Sequence, residues 1–313
     1  MIQVQNVQQQ PSQDVREQLY SQLEDYMGLS STKKKMDSSE KSGGTTLKRK
    51  SSEQSSSSSS SKALSKNTLA IKVNGKTIKG SAQNIVGRVV EAEMGASFRE
   101  EALKAQAVAA YTYIRYNNQK GTIPSLPAKS SVSAKVEDAV EQVIGEALYY
   151  QGEYINATYC ASNAGNSVDS ENVWGGYLPY LRSVESPGDT TLKAYGAVKR
   201  FSEEEIAQYI EENLDVDPYD YSDPDEWFED EEYINGRYVD SIRVCGRRLS
   251  GREVREELME FALPSAAFEV EYDDGEFIFT TYGYGHGVGM SQQGADYFAQ
   301  RGCCLLYTSP SPR

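Results

Sequence analysis

Apolar and polar residues recur along the chain in short runs that predict hairpins and helices in irregular succession. Residues 69–78 alternate around Asn74-Gly75, a pair typical of a tight hairpin turn. Further hairpins are predicted at residues 148–159, 237–249 and 268–281. The apolar spacing predicts helices at residues 84–93, 136–144, 201–214, 250–261 and 292–300. Because no βαβ rhythm is present, the pattern predicts an α+β fold, mainly antiparallel hairpins with interspersed helices.

One long helix is predicted after a break that follows Glu93. Ser97 and Glu100 have the spacing of a capping box and predict its start. An apolar face recurs at helical spacing, and its residues are Leu103, Ala107, Ala110 and Ile114. The many alanines leave little side-chain bulk, so another element can approach this helix closely. The helix is expected to end near residues 117–121, which contain two asparagines and a glycine.

The two ends of the chain differ in composition from its body. Residues 1–66 are rich in Ser and Lys and predict a disordered N-terminal region and linker, with one short amphipathic helix at 14–27. Residues 67–303 are expected to form one folded domain. Residues 304–313, CLLYTSPSPR, resemble the translation of a DNA-sequencing adaptor. We therefore expect them to be an artefact that truncates the domain.

Charge and cysteine content exclude several classes of protein. The net charge of −14 argues against nucleic-acid binding, which needs a basic face. No apolar run has the length of a membrane span, and no charged-then-apolar leader follows Met1. The four cysteines fit neither a disulfide scaffold nor a zinc ribbon. The acidic stretch at 215–232 is predicted to be a solvated insertion, and a calcium loop is the alternative, although EF-hand spacing is absent.

A glycine-rich segment at 282–295, YGYGHGVGMSQQGA, is the second candidate for chemistry. Its glycines permit unusual backbone conformations and let a ligand approach the main chain. His286 is the only histidine in the sequence, which excludes sites that need two histidines and any triad built on another one. The polar loop at 160–176 is long enough to predict a functional role.

These segments together resemble the stage II sporulation protein D (SpoIID)/LytB family. The family pattern EM-x-A-S-x-x-x-E-A-L-K-A-Q-A-V-A-A matches from Glu93, VWG and PYL follow the polar loop, and GHGVGMSQ-x-GA matches from Gly285. The resemblance covers residues 69–300 and its joint motifs are highly specific.

The resemblance implies a peptidoglycan lytic transglycosylase in which Glu93 is the single acid and base. Its implied partners are glycan strands and an amidase or a sporulation protein that remodels the wall, and its implied place is outside the cytoplasmic membrane. No cofactor is expected, with zinc at Cys160 and His286 as an alternative. The candidate substrate-binding residues are Ser162, Asn163, Trp174, Tyr282, Tyr284, His286 and Gln292. Desolvation, with Phe98 and Tyr284 as neighbours, is expected to raise the pKa of Glu93.

Other observations leave an alternative open. The family has arginines where this chain has Tyr111 and Pro264, which favours a non-catalytic wall-binding module that enhances an amidase. Glu91 and Glu101 are rival carboxylates. Glu91 is expected to point away from Glu93 on a helix, and Glu101 is expected to belong to a helix surface.

Overall fold

A computed structural model describes residues 67–303. Among them the strands are β1 Thr68–Val73, β2 Lys76–Ser81, β3 Tyr149–Tyr150, β4 Glu153–Tyr154, β5 Tyr159–Cys160, β6 Tyr195–Ser202, β7 Phe228–Ile234, β8 Tyr238–Val244, β9 Arg247–Leu249, β10 Phe268–Asp273, β11 Glu276–Tyr282 and β12 Met290–Ser291. The helices are α1 Ala82–Glu93, α2 Glu100–Gln119, α3 Ala134–Val143, α4 Ser170–Trp174, α5 Glu203–Leu214, α6 Pro218–Tyr221, α7 Gly251–Glu253 and α8 Gln292–Gln300. The predictions for residues 1–66 and 304–313 lie outside the described residues.

The predicted α+β class is confirmed. Two three-stranded antiparallel sheets have the strand orders β10-β11-β6 and β7-β8-β9, while β1-β2 and β3-β4 are hairpins. Within residues 67–303, β5 and β12 form the one parallel pair. That pair brings Tyr159 beside Met290, and so joins the polar loop to the glycine-rich segment.

The first core packs helices α1, α2 and α3 against the β1-β2 hairpin. The predicted apolar face of α2 is confirmed, because Leu103, Ala107, Ala110 and Ile114 are all buried. The Asn74-Gly75 turn is also confirmed, with both residues at positive φ as a tight hairpin turn requires.

The predicted start of the long helix is wrong. Helix α2 begins at Glu100 with Arg99 as its N-cap, and no side chain of the cap residue bonds to the first turn. The N–H of Arg99 donates instead to Asp296 Oδ1 at 2.7 Å, and the two side chains form an ion pair. A carboxylate from α8 thus holds the start of α2, and its negative charge suits a helix amino end.

The second core lies between the two three-stranded sheets, helix α5 and a π-helical turn at Val254–Leu258. It corrects part of the prediction that residues 215–232 form a solvated insertion, since most of the stretch is exposed or half-buried but Trp227 and Phe228 are buried. Trp227 is fully buried there and stacks on Phe277 with ring centroids 5.4 Å apart. The prediction rested on the many acidic residues around Trp227, and a count of charges does not detect a single buried aromatic residue among them.

Two further predictions need correction. Residues 195–202 form strand β6, so the helix predicted from residue 201 begins at Glu203. Half of the residues of β6 are exposed and none is fully buried, so the strand carries little apolar alternation. The helix that the Ser250-Glu253 capping box opens ends at Leu258 rather than near Phe261, which lies at positive φ. Among residues 67–303, none of the helices combines the length and apolarity that crossing a membrane requires.

The glycines of the GHGVGM segment are required by close contacts. Gly287 has φ +77°, and a Cβ built on it would lie 2.2 Å from the hydroxyl oxygen of Tyr238. That hydroxyl accepts from the N–H of Ala164 at 3.2 Å, so it cannot move away without losing a buried bond. Gly289 is equally crowded, with a Cβ position 2.3 Å from the carbonyl oxygen of Thr158.

Gly287→Ala is expected to lower the free energy of unfolding by about 2–5 kcal/mol, because left-handed strain and overpacking add. Gly275→Ala is the matched control, since Gly275 has φ +84° but nothing within 4 Å of its Cβ position. Strain alone should cost the control about 1–2 kcal/mol. Urea unfolding of both variants gives the comparison, and equal losses would show that the close contact with Tyr238 does not matter.

Candidate active site

Glu93 is the last residue of α1, at the point where the chain turns before α2. The N–H groups of Met94 and Gly95 both donate to the carbonyl oxygen of Val90, and Gly95 takes a positive φ to leave the helix. This tight exit places the side chain of Glu93 beside the first core, where it is half-buried. Burial raises the pKa of Glu93 above its usual value, and a hydrogen bond from Gln292 opposes this more weakly.

Gln292 approaches Glu93 from the far end of the sequence. It is the first residue of α8 and is only 4% exposed. Its amide nitrogen donates to Glu93 Oε2 at 3.1 Å and to Oε1 of the buried Gln106 at 3.4 Å. The resemblance implies substrate binding by Gln292, and in the structure its amide lies on the carboxyl group of Glu93.

Tyr159 links this carboxyl group to the glycine-rich segment. Its hydroxyl is buried and has no hydrogen-bond partner among the described residues. The pKa of that hydroxyl is raised well above its usual value, first by desolvation and then by the charge of Glu93. At the other end of the residue, the carbonyl oxygen of Tyr159 lies 3.1 Å from His286 Nε2.

His286 is held by the backbone at both ring nitrogens. Its Nδ1 accepts from the N–H of Val288 at 3.1 Å, so the proton lies on Nε2, which donates to Tyr159. Desolvation lowers the pKa of His286 to about 4, and the ring is therefore neutral at physiological pH. Trp174 packs on this ring with centroids 5.2 Å apart.

Cys160 and His286 do not fit a metal site in this arrangement. Burial raises the pKa of Cys160 to about 12, so its thiol keeps the proton that it donates to Asn163 Oδ1 at 3.0 Å. A metal ligand must be a thiolate, and both ring nitrogens of His286 are engaged. Across residues 67–303, no three His, Cys, Asp or Glu side chains form a group that could hold a metal ion.

The remaining predicted binding residues divide into buried and exposed ones. Ser162 and Asn163 are buried, and Ser162 exchanges two backbone hydrogen bonds with Tyr284. Tyr282 lies in a small core, and its hydroxyl donates to Glu269 at 2.9 Å. Trp174 and Tyr284 are the exposed members, with 38% and 58% of their surfaces accessible. The structure therefore brings together Glu93 and Gln292, and makes Ser162, Asn163 and Tyr282 internal supports.

The rival carboxylates have other partners. Glu91 accepts from both the N–H and the hydroxyl of Ser133 just before α3. Glu101 pairs with Lys104 on the helix surface, as expected. Phe98, expected beside Glu93, packs against the first core.

The positions of the two missing arginines are occupied differently. The hydroxyl of Tyr111 accepts from Arg115 Nε at 3.0 Å, so a guanidinium group remains one turn farther along α2. At position 264 the proline contributes a backbone contact: its carbonyl oxygen accepts from the N–H of Gly285.

Sequence reasoning missed three residues around the site. Gln106 is a polar residue within the buried, alanine-rich part of α2. A polar residue at such a position could have indicated a role in the site. Tyr159 carried no signal, being one of 22 tyrosines. Asp189 is 1% exposed and lies between the polar loop and α8. Nothing in its local sequence marks it as buried.

Comparison with known proteins adds a family to this geometry. A family model described as stage II sporulation protein matches residues 77–150, the segment that contains Glu93 and Gln106. The chain is 32% identical over 262 residues to stage II sporulation protein D of Bacillus subtilis (strain 168), covering 72% of each chain. It is also 32% identical over 258 residues to the protein of that name from Bacillus amyloliquefaciens, again covering 72% of each.

A more distant similarity extends to a second kind of protein. The chain is 26% identical over 279 residues to the amidase enhancer of Bacillus subtilis (strain 168), covering 68% of this chain and 37% of that protein. The identity and coverage shared with the two sporulation proteins are the stronger evidence. On that evidence, this chain belongs to the stage II sporulation protein D family.

Proposed function

We propose that this protein is a peptidoglycan lytic transglycosylase that remodels the cell wall during sporulation. It cleaves the bond between N-acetylmuramic acid and N-acetylglucosamine and leaves 1,6-anhydro ends. It acts outside the cytoplasmic membrane and needs no cofactor. Membership of the family supports the connection with sporulation, and the environment of Glu93 supports the reaction.

The hydrogen bond from Gln292 to Glu93 is the observation that carries this proposal. Because the amide donates to Oε2, that oxygen acts as an acceptor, and the proton of a neutral Glu93 belongs on Oε1. Burial keeps the proton on the carboxyl group at a higher pH than for an exposed glutamate. Glu93 is thus set up as a directed general acid.

The reaction then needs only this one carboxyl group. Glu93 donates its proton to the glycosidic oxygen, and the bond from that oxygen to C1 of the muramic acid breaks. The C6 hydroxyl of the same sugar attacks C1, and the carboxylate of Glu93 takes its proton, which restores the acid. Since the attacking group is already attached, no water has to be positioned. While Glu93 is charged, its bond from Gln292 becomes charge-assisted and stronger.

The exposed aromatic rings supply the glycan-binding surface in this proposal. Sugar rings stack on aromatic faces, and two accessible rings belong to this region: Tyr284 within the glycine-rich segment and Trp174, which packs on His286. His286 supports the ring of Trp174, and Ser162 supports the backbone of Tyr284. The buried polar residues then position the groove rather than contact the sugar.

The alternative is a wall-binding module that enhances an amidase without cutting glycan. The similarity to the amidase enhancer favours it, as do the replacements at Tyr111 and Pro264. This alternative predicts glycan binding without cleavage. Incubation of the protein with purified glycan strands distinguishes the two functions.

Glu93→Gln is expected to slow cleavage strongly, because an amide cannot deliver the proton. The full chain is incubated with purified glycan strands, both peptide-bearing and denuded, and the products are analysed by mass spectrometry. The wild type should release anhydro-ended fragments, lighter by one water molecule than reducing-end fragments. The variant should be slower by about 10²–10⁴-fold.

Glu91→Gln is the matched control for this experiment. Glu91 lies on the same helix and bonds to Ser133, so its variant should cleave at the wild-type rate. Reducing-end fragments from the wild type would indicate hydrolysis and contradict the proposed reaction. Glycan binding without any cleavage would establish the amidase-enhancing alternative.

Gln292→Met is expected to shift the alkaline limb of kcat/KM to higher pH. This limb follows the pKa of the acid in the free enzyme, and methionine keeps the side-chain volume while removing the bond that favours the carboxylate. The rate on the acidic plateau should fall by about 10-fold or more, because Glu93 loses its orientation. A pH series of initial cleavage rates provides both quantities.

Gln293→Met is the control for this variant, because it makes the same change one residue farther along α8. It should leave both the alkaline limb of kcat/KM and the rate on the acidic plateau unchanged. A Gln292→Met variant whose pH profile matches the wild type would show that the amide does not act on Glu93.

A further inference from the structure

Asp189 is a buried carboxyl group that the reaction above does not use. It begins a short 3₁₀ turn, Asp189–Thr191, and accepts three hydrogen bonds. Oδ2 accepts from the N–H of Asn163 at 2.8 Å and from the hydroxyl of Ser186 at 2.6 Å, and Oδ1 accepts from the hydroxyl of Ser291 at 2.8 Å. Asp189 therefore joins the polar loop, its own segment and the start of α8.

The donors around Asp189 require both of its carboxylate oxygens. Asparagine offers one carbonyl oxygen in the same space and would turn an N–H group toward one of the hydroxyls. Desolvation raises the pKa of Asp189 to about 6, while the bonds from Ser186, Asn163 and Ser291 favour the anion. The other titratable groups that its charge affects are Cys160 and Tyr238, both uncharged at neutral pH.

The bond to Ser291 decides how α8 begins. Ser291 is the N-cap of this helix, and its hydroxyl oxygen accepts from the N–H of Gly294 at 2.8 Å. A serine hydroxyl has one proton, and Ser291 donates it in a hydrogen bond to Asp189. The lone pairs of the hydroxyl oxygen therefore face the first turn of α8. Asp189 thereby selects the orientation in which Ser291 caps α8. Gln292 is the next residue.

Helix α8 packs closely against the segment of Asp189. A Cβ built on Gly294 would lie 2.9 Å from Ser186 Oγ, and one built on Gly188 would lie 2.4 Å from Cγ of Tyr297. Each glycine therefore lets a side chain of the other element pack directly against its backbone. A change in the position of the Asp189 segment must be transmitted to the first turn of α8.

Two other roles for Asp189 do not fit the geometry. A second catalytic carboxylate would have to reach the substrate, but Asp189 is 1% exposed and both oxygens are engaged. A metal ligand would need further acceptor atoms around it, whereas its partners Asn163, Ser186 and Ser291 all act as donors.

We propose that Asp189 is a positioning residue for Glu93: by holding Ser291 it fixes the first turn of α8, and so holds the Gln292 amide on the catalytic carboxyl group. This inference rests on the proposed function, in which Gln292 directs the proton of Glu93. Loss of the Asp189 bond lets the first turn of α8 move, and the Gln292 amide leaves Glu93 Oε2. Because Asp189 does not contact the glycan, kcat falls while KM stays close to its wild-type value.

The test compares the full-chain variants Asp189→Asn, Ser291→Ala and Gln292→Met, together with the double variant Asp189→Asn/Gln292→Met. Each single change is expected to lower kcat about 10- to 100-fold, to leave KM within about twofold, and to move the alkaline limb of kcat/KM to higher pH. The double variant should be no slower than Gln292→Met, because both changes act on one contact. Ser291→Ala tests the same link if Asp189→Asn does not fold.

Ser202→Ala is the matched control, since it removes the serine N-cap of α5 at a distance from Glu93 in the second core. It should lower stability without moving the alkaline limb of kcat/KM. A loss that appears only in KM, an unchanged limb, or additive effects in the double variant would overturn the role assigned to Asp189.

A second measurement does not depend on cleavage. An NMR titration of the carbon-13-labelled carboxyl group of Glu93 reports its pKa directly, and Asp189→Asn, Ser291→Ala and Gln292→Met should all raise that pKa. If the wild type cleaves no glycan but these shifts appear, the proposed reaction fails while the link from Asp189 to Glu93 holds. If the wild type cleaves glycan and only Gln292→Met shifts the pKa, the link fails.

Discussion

The site depends on the partial burial of one carboxyl group. Removing Glu93 from water favours its neutral form, and this makes it an acid, but a buried carboxyl group also needs a polar partner. Gln292 is that partner, and it lies 199 residues away in the sequence. The fold must therefore bring α8 against the exit of α1, and much of the chain between them serves this purpose.

Helix α8 is held on two sides. On one side, Asp296 accepts from the N–H of Arg99 at the start of α2 and forms an ion pair with its guanidinium group. On the other side, Ser291 and Gly294 lie against the segment of Asp189. The parallel pair of β5 and β12 leads directly into this helix. A helix of nine residues has little stability of its own, so its position is determined by these tertiary contacts.

Sequence patterns predicted those features whose causes are local. The Asn74-Gly75 turn and the apolar face of α2 depend on neighbouring residues, and both are confirmed. The Ser97 cap failed because α2 begins only at Glu100, where the distant carboxylate of Asp296 accepts from the N–H of Arg99. The motif resemblance located Glu93 and Gln292, but the contact between them and the burial of Tyr282 follow from packing that no local pattern encodes.

The two carboxyl groups near the start of α8 have different environments. Burial raises the pKa of both, yet Asp189 accepts three hydrogen bonds and Glu93 accepts one from Gln292. Both oxygens of Asp189 are engaged by donors, so this carboxyl group is suited to holding neighbouring segments together. Glu93, with one oxygen engaged and the other available, is the group better suited to give up and take back a proton. The two groups at this helix start thus differ in their available oxygens, because Asp189 accepts three hydrogen bonds and Glu93 accepts one from Gln292.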